Sequence, residues 1–197
     1  EDIFSSKTVS SQINYWQPLG TLYVVSSVLK AGHDVRFING AFIKHAGILN
    51  EVSAYKPDFV GIYSTTFGWK NAVSTASDIK RVLKNVFITV GGPYPVAMQE
   101  KCLMDSKDID AVVTGEGEIT VVEMLERLSR GSSLAGVEGV AFRDGYNIIK
   151  NPPRPLITDL DSLPFPAREL LGDTDKYIPP PATYRRKPVA VIITARG

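Results

Sequence analysis

The residues best suited to hold a ligand lie in three short stretches, each directly after an apolar run of the chain. The stretches are Ser64, Thr65 and Thr66; Gly91, Gly92 and Pro93; and Gly115, Glu116 and Gly117. Glycine lets a ligand approach the main chain closely, and a serine or threonine hydroxyl can both donate and accept hydrogen bonds. These residue types favour the binding of a flat or bulky cofactor over acid–base or nucleophilic catalysis.

Each stretch also has a purely structural interpretation. A glycine pair can simply allow a tight turn before a helix, and residues 64–66 can cap the helix that follows them. Glu118 suits a helix N-terminus, where the helix dipole favours negative charge. The glycines on either side of Glu116 fit either contact with a ligand or docking of a second domain, and the sequence leaves both open.

Other reactive residues are few and lack partners at catalytic spacing. Cys102 is the single cysteine, and His33 and His45 are the two histidines, which excludes an internal disulfide and a Cys/His metal cage within these residues. The sequence contains no P-loop, no nucleophile elbow and no Rossmann glycine fingerprint after a first strand. We therefore expect a domain that binds, with Cys102 packed, His33 structural and His45 on the surface.

The three stretches follow apolar runs that are typical of strands buried in a parallel sheet. These runs cover residues 58–63, 86–90 and 109–114, and a shorter run covers 35–38. Segments with helical spacing alternate with them, at residues 18–31, 43–55, 69–83, 96–104 and 119–129. The alternation predicts an α/β fold with a doubly wound parallel sheet, of five strands if one more is present before residue 18. Right-handed crossovers then bring the three stretches to the carboxyl edge of that sheet.

The composition changes after residue 131. Apolar residues on both sides of Asp144-Gly145 predict a β-hairpin over 139–149. The density of proline from residue 152 to residue 181 favours an extended tether over a packed core, and the apolar run 191–197 is typical of the start of a further buried strand. We therefore expect a ligand-binding domain over 1–131, an appended hairpin and proline-rich linker over 132–187, and the first strand of another domain over 188–197.

Charge and hydropathy exclude several classes of partner. The net charge of +1 gives no reason to expect nucleic acid or an anionic membrane, and no apolar run approaches the roughly 18 to 20 residues that span a bilayer. A single cysteine and the lack of a signal peptide fit a reducing compartment. We expect a cytoplasmic protein.

Several short motifs occur in order along the chain. They are Pro18-Leu19-Gly20, Ala31-Gly32-His33-Asp34-Val35, Gly91-Gly92-Pro93-Tyr94-Pro95, Gly115-Glu116-Gly117-Glu118, Leu163-Pro164-Phe165-Pro166-Ala167-Arg168 and Ile193-Thr194-Ala195-Arg196-Gly197. Taken together, these motifs resemble the front half of cobalamin-dependent radical SAM enzymes, a group that contains the anaerobic magnesium-protoporphyrin IX monomethyl ester cyclases and the B12-dependent methylases. The resemblance runs from about residue 18 to the end of the chain.

The resemblance implies a flavodoxin-like, Rossmann-like sheet that holds cobalamin against the three stretches. It also implies a linker that crosses to a radical SAM barrel of the same chain, where S-adenosylmethionine and a [4Fe-4S] cluster would act on a small-molecule substrate by methyl transfer or cyclisation at an unactivated carbon. The cluster cysteines are not among these residues, so this part of the chain is not expected to be catalytic alone. Some B12 domains carry a cobalt-binding histidine after their first strand. The matching residues 17–20 contain none, which implies base-off cobalamin without a histidine ligand.

Two other functions stay open at this point. A B12-like domain that has lost its cofactor would serve to dock substrate or a neighbouring domain. A flavodoxin-like module would instead bind FMN or another nucleotide, or carry a phosphoacceptor aspartate, for which the predicted strand ends offer no suitable residue.

Overall fold

The computed structural model describes residues 16–186 and 188–194. At its centre is a five-stranded sheet in the order β1-β2-β3-β4-β5. Strand β1 (Phe59–Tyr63), β2 (Phe87–Gly91) and β3 (Ala111–Val113) are parallel, whereas β4 (Val140–Asp144) and β5 (Asn147–Lys150) are antiparallel to their neighbours. The parallel arrangement of the first three strands is confirmed. The hairpin is also confirmed, and its strand β4 pairs with β3, so that the hairpin extends the main sheet.

Six α-helices accompany the sheet in the described part of the chain. They are α1 (Leu19–Lys30), α2 (His45–Tyr55), α3 (Trp69–Val82), α4 (Pro93–Met98), α5 (Lys101–Asp105) and α6 (Gly117–Ser129). The single helix expected over 96–104 is wrong, because the left-handed backbone of Gln99, with φ of 48°, separates α4 from α5. None of the described helices is long and apolar enough to cross a bilayer.

Helices cover both faces of the sheet, as expected for a doubly wound fold. On one face, α2, α3 and α5 pack against β1 and β2, with Ile79, Ile88 and Leu103 essentially inaccessible to water. On the other face, α1 and α6 pack against β3 and β4 around Met124 and Val140. Each such fully buried aliphatic side chain contributes roughly 1.5 to 3 kcal/mol, so the two layers hold the strand ends in fixed positions.

Two predicted strands are not strands in this structure. Residues 35–38 have no sheet partner among the described residues, so that prediction is wrong for this chain. Residues 191–194 are also outside any strand, with Ile192 71% exposed. In both cases the apolar run has no paired strand among the residues that the structure describes. The remainder of the second run, residues 195–197, and the alternation of Ile13 and Tyr15 lie outside the described residues.

The proline-rich linker packs against the domain, contrary to the expectation of an extended tether. Ala167, Leu171 and Tyr177 are buried, and the latter two join Leu19 and Leu22 of α1 in a third apolar cluster. The backbone N–H of Ala167 donates to the carbonyl oxygen of Leu22 at 3.2 Å. Proline density describes the local stiffness of a chain, and it carries no information about apolar residues placed between the prolines.

One arginine of the linker joins three parts of the chain. Arg168 donates through Nε to Oε1 of Gln17 at 3.3 Å and through a terminal nitrogen to the carbonyl oxygen of Val191 at 2.6 Å. Gln17 is itself buried, at 7% exposure. We call this group, Gln17, Arg168 and Val191, the arginine clasp. It holds together the start of α1, the linker and the segment that follows the linker.

The hairpin is anchored by the buried amide of Asn151. Its Nδ2 donates to the carbonyl oxygens of Leu134 and Val137 at 2.8 and 2.9 Å, and its Oδ1 accepts from the N–H of Gly136 at 3.0 Å.

The substitution Asn151→Asp would place a carboxylate opposite two carbonyl oxygens. We expect it to lower the free energy of unfolding by at least about 2 kcal/mol, measured by urea denaturation. Asn147→Asp, at an exposed position of β5, is the matched control and should change stability little; equal losses for both variants would contradict this role.

Cys102 is fully buried in the α5 layer. Burial is the main cause that raises the pKa of its thiol to about 11, and the nearby carboxylate of Asp105 adds to it. The thiol therefore stays neutral and inaccessible near pH 8, where an ordinary cysteine is partly thiolate.

We expect a disulfide reagent such as DTNB to label Cys102 only after unfolding, with a Cys102→Ser variant as the blank. Rapid labelling of the native protein would contradict this environment.

Candidate functional site

A cleft of about 1860 Å³ runs along β1, from Asp58 at its amino end to the carboxyl edge of the parallel strands. Gly91, Gly92, Gly115, Glu116 and Gly117 all line it. The structure thus brings residues of two of the three predicted stretches onto one cleft, without Pro93. The third stretch, residues 64–66, is adjacent to them through the main chain.

The end of β2 and the loop after β1 are joined by backbone hydrogen bonds. The N–H of Ser64 donates to the carbonyl oxygen of Gly91 at 2.9 Å, and the N–H of Tyr94 donates to the carbonyl oxygen of Ser64 at 3.3 Å. Gly92 lies between these bonds with φ of 99°. A Cβ there would lie 2.7 Å from Cδ2 of Tyr63 and 2.8 Å from the oxygen of Ser64. Gly92 is therefore required by the packing of the two loops, and Pro93 starts α4 directly after it.

The hydroxyl residues of the loop after β1 do not cap α3 with their side chains. Helix α3 has Gly68 at its N-cap and no side-chain cap bond. The hydroxyl of Ser64 is buried and donates to the carbonyl oxygen of Thr65 at 3.0 Å. Thr65 and Thr66 are exposed, and their carbonyl oxygens accept from the N–H groups of Gly68 and Trp69 to form the turn. Their side chains remain at the surface of the carboxyl edge.

The two glycines on either side of Glu116 differ in whether packing requires a residue without a side chain. A Cβ on Gly117 would lie 2.9 Å from Cγ2 of Val24, so this glycine lets α6 approach α1 closely. A Cβ on Gly115 would meet no atom within 4 Å. No steric requirement of the fold accounts for glycine at position 115, and its main chain is open to the cleft.

Glu116 contacts the linker. Its Oε2 accepts a hydrogen bond from the backbone N–H of Ile157 at 2.6 Å. Close by, the guanidinium of Arg154 donates to the hydroxyl of Thr120 at 2.9 Å and pairs with the carboxylate of Glu123. The start of the linker is thus tied to α6 and to the loop that precedes it. Glu116 therefore binds the chain segment that follows the domain, a contact that is neither of the two possibilities, a ligand or a second domain, that the sequence left open.

The histidines do not form a metal site. His45 Nε2 lies 2.7 Å from a carboxylate oxygen of Asp78, an acidic partner that sequence spacing did not reveal because α2 and α3 are adjacent only in the fold. His33 lines the cleft at the turn after α1. Within residues 16–186 and 188–194, no group of three His, Cys, Asp or Glu side chains could hold a metal ion.

Sequence reasoning missed two aromatic residues at the carboxyl edge. Tyr63, the last residue of β1, is 54% exposed and its ring lies against Gly92. Phe67 is 99% exposed in the loop that carries Thr65 and Thr66. Aromatic residues directly before and after a run of small hydroxyl residues were the available signal, but an aromatic at a strand end is more often part of the core.

Comparison with known proteins assigns the family. The sequence model of the B12 binding domain family matches residues 8–125. An uncharacterised methyltransferase of Pyrococcus horikoshii is 36% identical over 91% of this chain and 38% of its own length. The anaerobic magnesium-protoporphyrin IX monomethyl ester cyclase of Synechocystis is 32% identical over 91% of this chain and 36% of its own length. The chain thus spans less than two fifths of these curated relatives.

Solved structures support the same fold. The cobalamin-dependent S-adenosylmethionine radical enzyme OxsB, with aqua-cobalamin and S-adenosylmethionine bound, superimposes with a TM-score of 0.73 at 20% identity, covering 86% of this chain and 24% of that one. At this identity the likeness concerns the fold, which agrees with the mixed sheet and two helical layers described above. The match over residues 8–125, more than half of the sequence, shows that the chain belongs to the B12-binding domain family.

Proposed function

We propose that this chain holds cobalamin at the carboxyl edge of β1, β2 and β3. The observation that carries the proposal is the open main chain of Gly115, where no neighbouring atom requires a glycine. It lies on the same cleft as Gly91, at the end of the neighbouring strand β2. In a member of the B12-binding family, strand ends that expose main chain without side chains fit a large flat ligand.

The residues present at this edge fit a corrinoid. The ligand is broad, and its amide side groups can bond to hydroxyls and to main-chain groups. Thr65 and Thr66 offer exposed hydroxyls, and Gly91, Gly92 and Gly115 offer backbone. Glu116 is the one charged residue of the three stretches, and its carboxylate is already bonded to the linker. Residues 17–20 contain no histidine, so we propose that cobalamin binds base-off without a protein ligand from that segment.

Each residue has a distinct part in this proposal. The exposed hydroxyls of Thr65 and Thr66 orient the ligand, and the backbone at Gly91 and Gly115 allows it to lie close to the sheet. Ser64, Gly92 and Pro93 hold the two loops at a fixed separation, because their bonds and packing join β1 to the start of α4. Gly117 and Glu116 fix α6 and the linker around the site. Cobalamin, when bound, supplies the one-carbon or radical chemistry of its cobalt centre.

We also propose that the chain is the cobalamin-holding part of a longer radical SAM enzyme that performs methyl transfer or cyclisation on a small molecule. Support comes from the relatives, which are described as a methyltransferase and a cyclase and are more than twice the length of this chain. In this proposal residues 1–131 hold cobalamin, residues 132–187 form the hairpin and linker, and residues 188–197 lead into a barrel that binds S-adenosylmethionine and a [4Fe-4S] cluster.

Filling the open position at Gly115 should weaken cobalamin binding. We expect Gly115→Leu to raise the dissociation constant for hydroxocobalamin at least about tenfold, equivalent to about 1.4 kcal/mol, because the side chain would project where the ligand lies. The measurement is a visible-absorbance titration of residues 1–197. Ala54→Leu, which adds the same side chain at an exposed position of α2, is the control and should bind like the unmodified chain. No binding by the unmodified chain would support the alternative of a domain without cofactor, and FMN retention would support the nucleotide-binding alternative.

Glu116 should act on the linker more than on the ligand. Glu116→Ala removes the acceptor for the N–H of Ile157, so we expect that amide to exchange with solvent at least about tenfold faster. Hydroxocobalamin affinity should change less than threefold. Glu116→Gln keeps an acceptor oxygen and should leave exchange nearly unchanged. A large loss of affinity with unchanged exchange at Ile157 would instead place Glu116 in contact with the cofactor.

A further inference from the structure

One tyrosine of the proline-rich linker is inserted between two parts of the domain. Tyr177 is only 4% exposed and belongs to the apolar cluster of Leu19 and Leu22 at the start of α1. Its ring meets the ring of Phe42 edge to face, with 5.0 Å between the ring centroids. Its hydroxyl oxygen accepts a hydrogen bond from Nδ2 of Asn39 at 3.1 Å. Tyr177 therefore joins the start of α1 to the turn that precedes α2.

That turn forms one side of the cleft. We call residues 39–43 the wall loop. Four of its residues line the same cleft as Gly91 and Gly115, namely Asn39, Gly40, Ala41 and Ile43. The linker thus contacts, from outside, a loop whose other side faces the cleft.

The wall loop lies toward the carboxyl edge of the sheet. Helix α6 begins at Gly117, just after the carboxyl end of β3, and Gly117 lies against Val24 in the second turn of α1. The first turn of α1, with Leu19, packs with Tyr177, and Tyr177 in turn holds the wall loop. A broad ligand at the carboxyl edge therefore has the wall loop beside it.

The hydrogen bonds inside the wall loop do not attach it to the sheet. The side-chain oxygen of Asn39 accepts from the N–H of Ala41 at 3.0 Å, and its carbonyl oxygen accepts from the N–H of Phe42 at 3.1 Å. Residues 35–38, directly before the loop, have no sheet partner among the described residues. Because the side-chain amide of Asn39 is planar, its bond to Tyr177 fixes the orientation of the oxygen that forms the turn.

We propose that Tyr177 is a positioning residue of the ligand site. Its hydroxyl and ring hold the wall loop in the conformation that lines the cleft, so the linker is part of the binding unit. This inference rests on the cobalamin site proposed above. A ligand that meets a wall already in place does not have to order it on binding, and affinity rises when that cost is removed. Tyr177 itself does not line the cleft, so its replacement should weaken binding without removing a group from the cleft.

Leu171 supplies a matched control from the same linker. It lies in the same apolar cluster and is 8% exposed, so Leu171→Ala removes buried surface as Tyr177→Ser does. Its side chain has no polar atom that could bond to Asn39. A merely structural role for Tyr177 predicts that both substitutions lower the urea midpoint and change the ligand site alike. A positioning role predicts that only Tyr177→Ser changes the ligand site.

The first measurement is made without ligand, by NMR relaxation of the backbone amides in residues 1–197. In the unmodified chain and in Leu171→Ala we expect the wall loop to have the order parameters of rigid backbone, about 0.85, and in Tyr177→Ser we expect values below about 0.6. Tyr177→Phe, which keeps the ring and removes the hydroxyl, should give intermediate values. Equal order parameters in all four proteins would overturn the proposal, and Tyr177→Phe alone decides the test if Tyr177→Ser does not fold.

The second measurement is a visible-absorbance titration of the same four proteins with hydroxocobalamin. If the ordered fraction of the wall loop falls to about one fifth, the Kd rises about fivefold. We expect at least that increase for Tyr177→Ser, a smaller one for Tyr177→Phe, and a change of less than about twofold for Leu171→Ala. Unchanged affinity in Tyr177→Ser, or equal losses in Tyr177→Ser and Leu171→Ala, would overturn the inference. Failure of the unmodified chain to bind would overturn the proposed function, whereas the relaxation measurement still decides whether Tyr177 orders the wall loop.

Discussion

The contact between Gly92 and the end of β1 is the constraint on which the carboxyl edge depends. The backbone at position 92 passes so close to the ring of Tyr63 and the carbonyl of Ser64 that a Cβ would overlap both. Two hydrogen bonds, from Ser64 to Gly91 and from Tyr94 to Ser64, keep the loops at that distance. Because the two hydrogen bonds join main-chain groups, the side chains of Thr65 and Thr66 and the main chain of Gly115 take no part in them. The carboxyl edge therefore exposes the backbone of Gly115 beside the two exposed threonines.

Much of the fold could be predicted from the sequence, because the signals were local. Uncharged runs of β-branched and aromatic residues predicted β1, β2 and β3, and Asp144-Gly145 predicted the hairpin. The failures concern pairing and packing between distant segments. Residues 35–38 have the composition of a strand, but a strand also needs a neighbour, and composition does not report whether one is present. Likewise, the prolines of the linker predicted stiffness and gave no sign that Leu171 and Tyr177 would pack on α1.

The sequence predicted where the residues of the candidate site would lie, but it did not predict what each of them would contact. The sequence could place the three stretches at one edge, since parallel strands with right-handed crossovers leave no other arrangement. It could not distinguish Gly115 from Gly117, because the difference lies in how close Val24 comes to each. Nor could it show that Glu116 accepts from the N–H of Ile157, which is 41 residues away in the chain.

The arginine clasp brings together two segments that are distant in the chain. Gln17 and Val191 are 174 residues apart (191 minus 17) and meet on one guanidinium. The two segments therefore lie side by side on the molecule. Where the segments that flank a fold lie together, a change in the chain beyond one of them does not pull on the interior between them.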